Sequence, residues 1–79
     1  MKNLATITPS NDVKNEVLFF ENRLLDYKGA SQFLGISIRH LRNLKSTGEI
    51  KHVLIGSGER GVRFRVASLM RFIDEREVS

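Results

Sequence analysis

The sequence contains no cysteine and no tryptophan, one proline and two histidines. Without thiols there is no disulfide framework and no thiolate metal site. His40 and His52 lack H-x-x-x-H spacing, so a zinc site would have to rely on carboxylates. Apolar runs are short: the longest, Val17 to Phe20, is four residues, too few to span a bilayer. No basic segment leads into an apolar one near the start, so no secretory signal is expected. No repeat or low-complexity tract is visible. No Ser/His/acid or paired-carboxylate arrangement suggests catalysis, and neither a cofactor nor a metal is expected. At 79 residues the chain makes one small domain near the lower edge of independent stability. These absences lead to the expectation of a soluble, cytoplasmic protein with no membrane association and no active site.

Positive charge is present in excess, and it is unevenly placed. Thirteen Lys and Arg stand against nine Asp and Glu, a net of +4. Residues 28–71 hold nine bases and two acids, Glu49 and Glu59, a net of +7. The flanks are mildly acidic, −1 over residues 1–27 and −2 over 72–79. A basic centre attracts a polyanion, most often nucleic acid, although a solvated basic surface has the same composition.

Residues 1–9 carry no strong periodicity and are expected to fray. A helix start follows, capped by Thr8 with Pro9 at the first helical position, or by Ser10. Val13, Val17, Phe20 and Leu24 then form a helical stripe, although Val17 to Phe20 also suits a strand. Its large apolar groups must cover the rest of the domain or a second copy of the chain. Residues 1–22 are thus read as a partly helical extension and residues 23–76 as the domain proper. Asp26 caps a helix from Tyr27 to Leu34 with Ala30, Phe33 and Leu34 inward, and Gly35 ends it. Ser37 caps a second helix, Ile38 to Ser46, with Leu41 and Leu44 inward, and Thr47-Gly48 closes it. Ile50 to Ile55 reads as a strand with Val53 and Ile55 on one face. The glycine-rich turn 56–61 leads to Val62 to Val66, where apolar and basic residues alternate as in a half-buried strand. Leu69, Phe72 and Ile73 mark a last helix of about ten residues.

Two short helices joined at Gly35-Ile36-Ser37, with small Ser31 where they cross, have the makings of a helix-turn-helix. An ordinary helical hairpin with a polar outer face has them too. The pattern leaves Ser37, Ile38, Arg39, Arg42, Asn43 and Ser46 away from the core. Arg39 and Arg42 share a helix face and can reach base edges or phosphates. Asn43 suits adenine or plain solvation. Ile38 suits a thymine methyl or, more simply, packing against the turn. Ser37 caps its helix and can still meet a phosphate. Arg60 sits among the glycines of the turn, where it could enter a narrow minor groove. Arg63 and Arg65 alternate outward toward phosphate, or else guard an edge strand. Lys28 reaches phosphate or stays solvated. Glu59, beside Arg60, opposes a polyanion.

The order helix–turn–helix–hairpin–helix carries a resemblance. The segments are Leu24 to Ser37, Leu41-Arg42-Asn43-Leu44, Gly48-Glu49-Ile50, Val53-Leu54-Ile55-Gly56, Val62-Arg63-Phe64-Arg65 and Leu69 to Ile73. In that order, over about two thirds of the chain, residues 24–73 resemble the excisionase and MerR-like winged-helix family of small DNA-binding domains. Gly29, Ser31, Ile38 and Ala67-Ser68 depart from the family's usual residues. The resemblance implies a mainly α fold with a small β-hairpin: a winged helix-turn-helix with an N-terminal helical extension. It also implies that the second helix enters the major groove and the hairpin tip reaches a neighbouring minor groove.

The leading expectation is therefore non-catalytic binding of double-stranded DNA. The implied role is an excisionase-like recombination directionality factor that bends DNA for an integrase, in a bacterial or phage cytoplasm close to the nucleoid. A small transcriptional regulator of a mobile element is the nearest alternative. From another class comes a protein-interaction module, with self-association through Val13, Val17, Phe20 and Leu24. RNA binding is weaker, because aromatics are few, five Phe and one Tyr, and most have expected core positions, leaving none for base stacking.

Overall fold

A computed structural model describes residues 11–78, with side chains described from Glu16 onward. The expected frayed start, the Thr8, Pro9 or Ser10 cap and the Val13 side chain lie outside the described residues. The elements in chain order are helix α1 (Asn11–Glu21), strand β1 (Leu24–Leu25), helices α2 (Tyr27–Leu34) and α3 (Ile38–Ser46), strands β2 (Val53–Leu54) and β3 (Val62–Arg65), and helix α4 (Val66–Arg76). A 3-10 turn, Glu59–Gly61, precedes β3. The architecture is a mostly helical α+β fold around a three-stranded antiparallel sheet ordered β1-β3-β2.

Local chemistry sets the two central helices. The Asp26 side chain accepts from the Gly29 amide at 2.8 Å and starts α2. Gly35 ends it at φ 71°, in the left-handed region where an L side chain is strained. There Gly35 N donates to Gln32 O and Ile36 N to Ser31 O, so both closing bonds of a Schellman motif are made. The Ser37 hydroxyl accepts from the His40 amide at 3.0 Å and starts α3, two residues beyond the glycine. The same pair of closing bonds, Gly48 N to Lys45 O and Glu49 N to Leu44 O, ends α3. The turn between the helices is thus fixed at both ends.

Ala30, Leu41, Phe64 and Leu69 are fully buried, and Tyr27, Leu44, Ile50, Val62 and Val66 are nearly so. Val62 and Phe64 alternate inward along β3 while Arg63 and Arg65 face the other way. Ser31, where the helices cross, is buried and donates its hydroxyl to Lys28 O at 2.9 Å. The Tyr27 ring meets Phe64 edge-on, with centroids 5.4 Å apart.

Several expectations change. Leu24 does not continue the α1 stripe, because α1 stops at Glu21 and Leu24 pairs with Arg65 in the sheet. Strand β1 therefore turns the hairpin into a three-stranded sheet and makes β3 its centre, so Arg63 and Arg65 do not guard an edge. Val17 to Phe20 are helical rather than extended, and all four stay exposed, Phe19 most of all at 77%. The strand expected over Ile50 to Ile55 shrinks to Val53–Leu54. Ile50 is drawn into the core, its amide bonding Leu44 O, while Ile55 is exposed. Phe33 is half exposed rather than inward, because Tyr27, Ala30, Ser31 and Leu34 fill the i, i+3, i+4, i+7 arc of α2. Val66 is buried as expected but opens α4 instead of ending β3.

Candidate nucleic-acid interface

Helix α3 buries Leu41 and Leu44 and turns its other side outward. At 3.6 residues per turn, Arg42, Ser46, Arg39 and Asn43 share an arc of about 100° opposite those leucines. All four are exposed. Ser37 is exposed at the start of the helix with its hydroxyl engaged as a cap. Ile38 is half-buried and packs against the core, the simpler of its two expected roles.

Beside this face lies an open groove of about 300 Å³ shared by α2, α3 and the β2–β3 connection. Lys28, Ile38, Arg42, Arg60 and Arg63 line it together with Tyr27 and Glu59. Five of the ten candidate residues, from three separate parts of the chain, thus meet in one depression. Arg39, Asn43 and Ser46 extend the exposed side of α3 next to it, and Arg65 is exposed further along β3. Arg63 is half-buried, and its Nη1 donates to both Arg60 O and Val62 O at 2.8 Å. It braces the 3-10 turn that presents Arg60. The chain returns there against itself: a Cβ on Gly61 would stand 2.5 Å from Gly56 C and O, so only glycine fits.

Two acids line the groove: Asp26 is engaged as the cap of α2, and Glu59 is the organising group. Glu59 Oε1 accepts from the Tyr27 hydroxyl at 2.9 Å and lies 3.4 Å from Arg42 Nε. Its Oε2 lies 3.5 Å from Lys45 Nζ. The Arg42 guanidinium also stands 4.9 Å above the Tyr27 ring centre, a cation–π distance. The Tyr27 hydroxyl, with the Lys45 and Arg42 cations, holds the Glu59 carboxyl below its ordinary range. Burial, reinforced by the bond to Glu59, raises the Tyr27 phenol above its ordinary value. Lys45, Tyr27 and the bridging role of Glu59 are absent from the sequence-derived set. Lys45 had a signal, since it stands three residues after Arg42 on one helix flank. The Tyr27–Glu59 contact joins distant parts of the chain and has no local signature.

The opposite flank of α3 differs. There Leu34, Ile36, Leu44, Phe72 and Ile73 line a groove of about 420 Å³ with His40 and Arg76 at its rim. Arg76 lies 4.7 Å over the Phe72 ring and bonds Glu49. Among the described residues no three His, Cys, Asp or Glu side chains cluster as a metal site, and no helix is long and apolar enough to cross a membrane. Comparison with protein families, curated proteins and solved structures finds no match.

Proposed function

We propose that the chain is a non-catalytic double-stranded DNA-binding protein built as a winged helix-turn-helix, with α3 as the recognition helix and the β2–β3 hairpin as the wing. The observation that carries this reading is the convergence of Lys28, Arg42, Arg60 and Arg63 on one groove beside the exposed Arg39, Asn43 and Ser46. Helix α3 offers side chains that reach base edges, and a helix is the element that fits the major groove. Ser37 at its start and Lys28 on α2 suit phosphate positioning. Arg60, on a turn packed glycine against glycine, suits a minor groove. Arg65 suits the backbone beside it.

Within this class an excisionase-like recombination directionality factor, acting with an integrase, is the preferred role. A transcriptional regulator of a mobile element is next. Comparing bending of an attachment-type duplex with repression of an adjacent promoter separates the two. Selection of bound duplexes from a random pool, with mass measurement of the complexes, tests DNA binding and gives site, spacing and copy number. If about five cations neutralise phosphates, log K falls with log salt at a slope near −4 to −5. No affinity for any duplex at low salt would remove the reading.

One observation favours a second reading, a protein-interaction or self-association module. Val17, Leu18, Phe19 and Phe20 are exposed together on α1. The same mass measurement, made without DNA, tests it.

A further inference from the structure

We propose that Glu59 is a positioning residue for base readout: with the Tyr27 ring, its carboxylate draws the Arg42 guanidinium in on the Nε side by charge attraction, so that the outer nitrogens are presented as a fork to guanine. This rests on the DNA-binding reading and adds to it a named base and a residue that acts through Arg42. The geometry is a clamp with two jaws. Glu59 Oε1 stands 3.4 Å from Arg42 Nε on one side, and the Tyr27 ring centre stands 4.9 Å from the guanidinium carbon on another. The jaws are themselves joined, because the Tyr27 hydroxyl donates to the same Oε1 at 2.9 Å. Tyr27 is buried against Phe64, so the clamp is anchored in the core.

Nε is the inner nitrogen of the guanidinium. Its contact with Glu59 is an ion pair at 3.4 Å rather than a hydrogen bond, which leaves the donors of the guanidinium available, and the Arg42 side chain remains 53% exposed. A long side chain already held in place loses less freedom when it engages a partner. A planar two-donor edge matches guanine, which offers O6 and N7 as acceptors in the major groove, whereas adenine sets a donor beside its N7. The same carboxylate weakens indiscriminate binding. It lies among Lys28, Arg42, Lys45, Arg60 and Arg63, where its charge repels phosphates and partly neutralises two cations. One residue thereby favours the right base and disfavours any duplex.

The test compares the unsubstituted chain with Glu59→Gln, Tyr27→Phe, Arg42→Ala and the double variant Arg42→Ala/Glu59→Gln. The probes are duplexes enriched from a random-sequence pool and the unselected pool itself. Gln at position 59 keeps an acceptor for Tyr27 and removes the charge at an exposed position, so folding is retained. Expected for Glu59→Gln is a loss of about tenfold in preference for guanine at the Arg42 contact. Affinity for the unselected pool rises, and the salt slope steepens by about one, because the single carboxylate charge no longer offsets Arg42 and Lys45. Arg42→Ala loses the same guanine preference, and the double variant loses no more than Arg42→Ala alone. Tyr27→Phe shifts preference the same way by less. An unchanged guanine preference in Glu59→Gln, or equal weakening on every duplex, overturns the inference and leaves DNA binding standing. An unsubstituted chain that binds no duplex overturns both.

Discussion

The two flanks of α3 face opposite kinds of groove. On one side Arg42 and Lys45 meet Tyr27, Glu59 and Arg60 in a charged depression. On the other Leu44 and His40 meet Phe72 and Ile73 in an apolar one. Both are built on the same nine residues, Ile38 to Ser46, and share the buried pair Leu41 and Leu44. The difference comes from what the chain brings alongside. The charged flank is closed by a turn that carries a carboxylate and Arg60, and by Arg63 at the start of β3. The apolar flank is closed by α4. A helix surface is therefore given its role by its neighbours as much as by its own sequence, and substitutions can separate the flanks.

The largest effect should remove both flanks together. Phe64 is fully buried at the centre of the sheet and touches the Tyr27 ring. Phe64→Ala should cost about 3–5 kcal/mol, which in a domain this small is a large part of the total. Urea denaturation measures it, and a cost below about 1 kcal/mol would mean that the two grooves do not hang on this residue. Gly61→Ala should separate them. Its Cβ would meet Gly56 backbone at 2.5 Å, so the turn must shift and carry Arg60 and Glu59 with it. Strain of about 1–3 kcal/mol is expected, with amide chemical-shift changes confined to residues lining the charged groove. Changes that reach Ile73 as strongly as Arg60 would break the comparison.

Next come substitutions on the helix itself. Arg42→Ala should weaken binding to a selected duplex by about 1–3 kcal/mol. His40→Ala, on the other flank, should stay within about 0.5 kcal/mol in both binding and stability. Fluorescence anisotropy at fixed salt measures the binding of each. Equal losses would show that DNA does not favour the flank with the carboxylate.

Much of this arrangement was readable because it is local. Asp26, Gly35 and Ser37 mark the ends of α2 and α3 by hydrogen bonds within a few residues, and Ala30, Leu41 and Leu44 follow helical spacing into the core. The charged face of α3 follows from the same periodicity. Strand β1 was not readable, because Leu24-Leu25 is too short to show alternation and becomes a strand only by pairing with Arg65 and Phe64. Ile50 misled in the opposite sense: an apolar residue near a strand is captured by the end of α3 instead. Glu59 could be seen as an acid among bases. Its partners Tyr27, Arg42 and Lys45 could not, since only the folded chain brings them to it.

The finest distinction between the flanks is titrimetric. Tyr27 is the only tyrosine and there is no tryptophan, so ultraviolet absorbance and emission report one residue on the charged flank. Burial and the bond to Glu59 raise its phenol above the ordinary value. Because the folded value is the higher one, the stabilisation is in place below the unfolded pKa of about 10 and is lost as pH rises through the folded value. Glu59 behaves in the opposite sense. Its carboxyl is held low by the Tyr27 hydroxyl and the nearby cations, so its contribution is present above the ordinary glutamate pKa and disappears as pH falls through the folded value. Two small steps in the Tyr27 signal are therefore expected, one acid and one alkaline. Glu59→Gln should abolish the first and move the second down toward the ordinary tyrosine value. His40→Ala should leave both in place. If the Tyr27 signal titrates identically with and without the carboxylate, the hydroxyl is not bound to it. The charged flank would then lack the fixed geometry that distinguishes it from an ordinary basic surface.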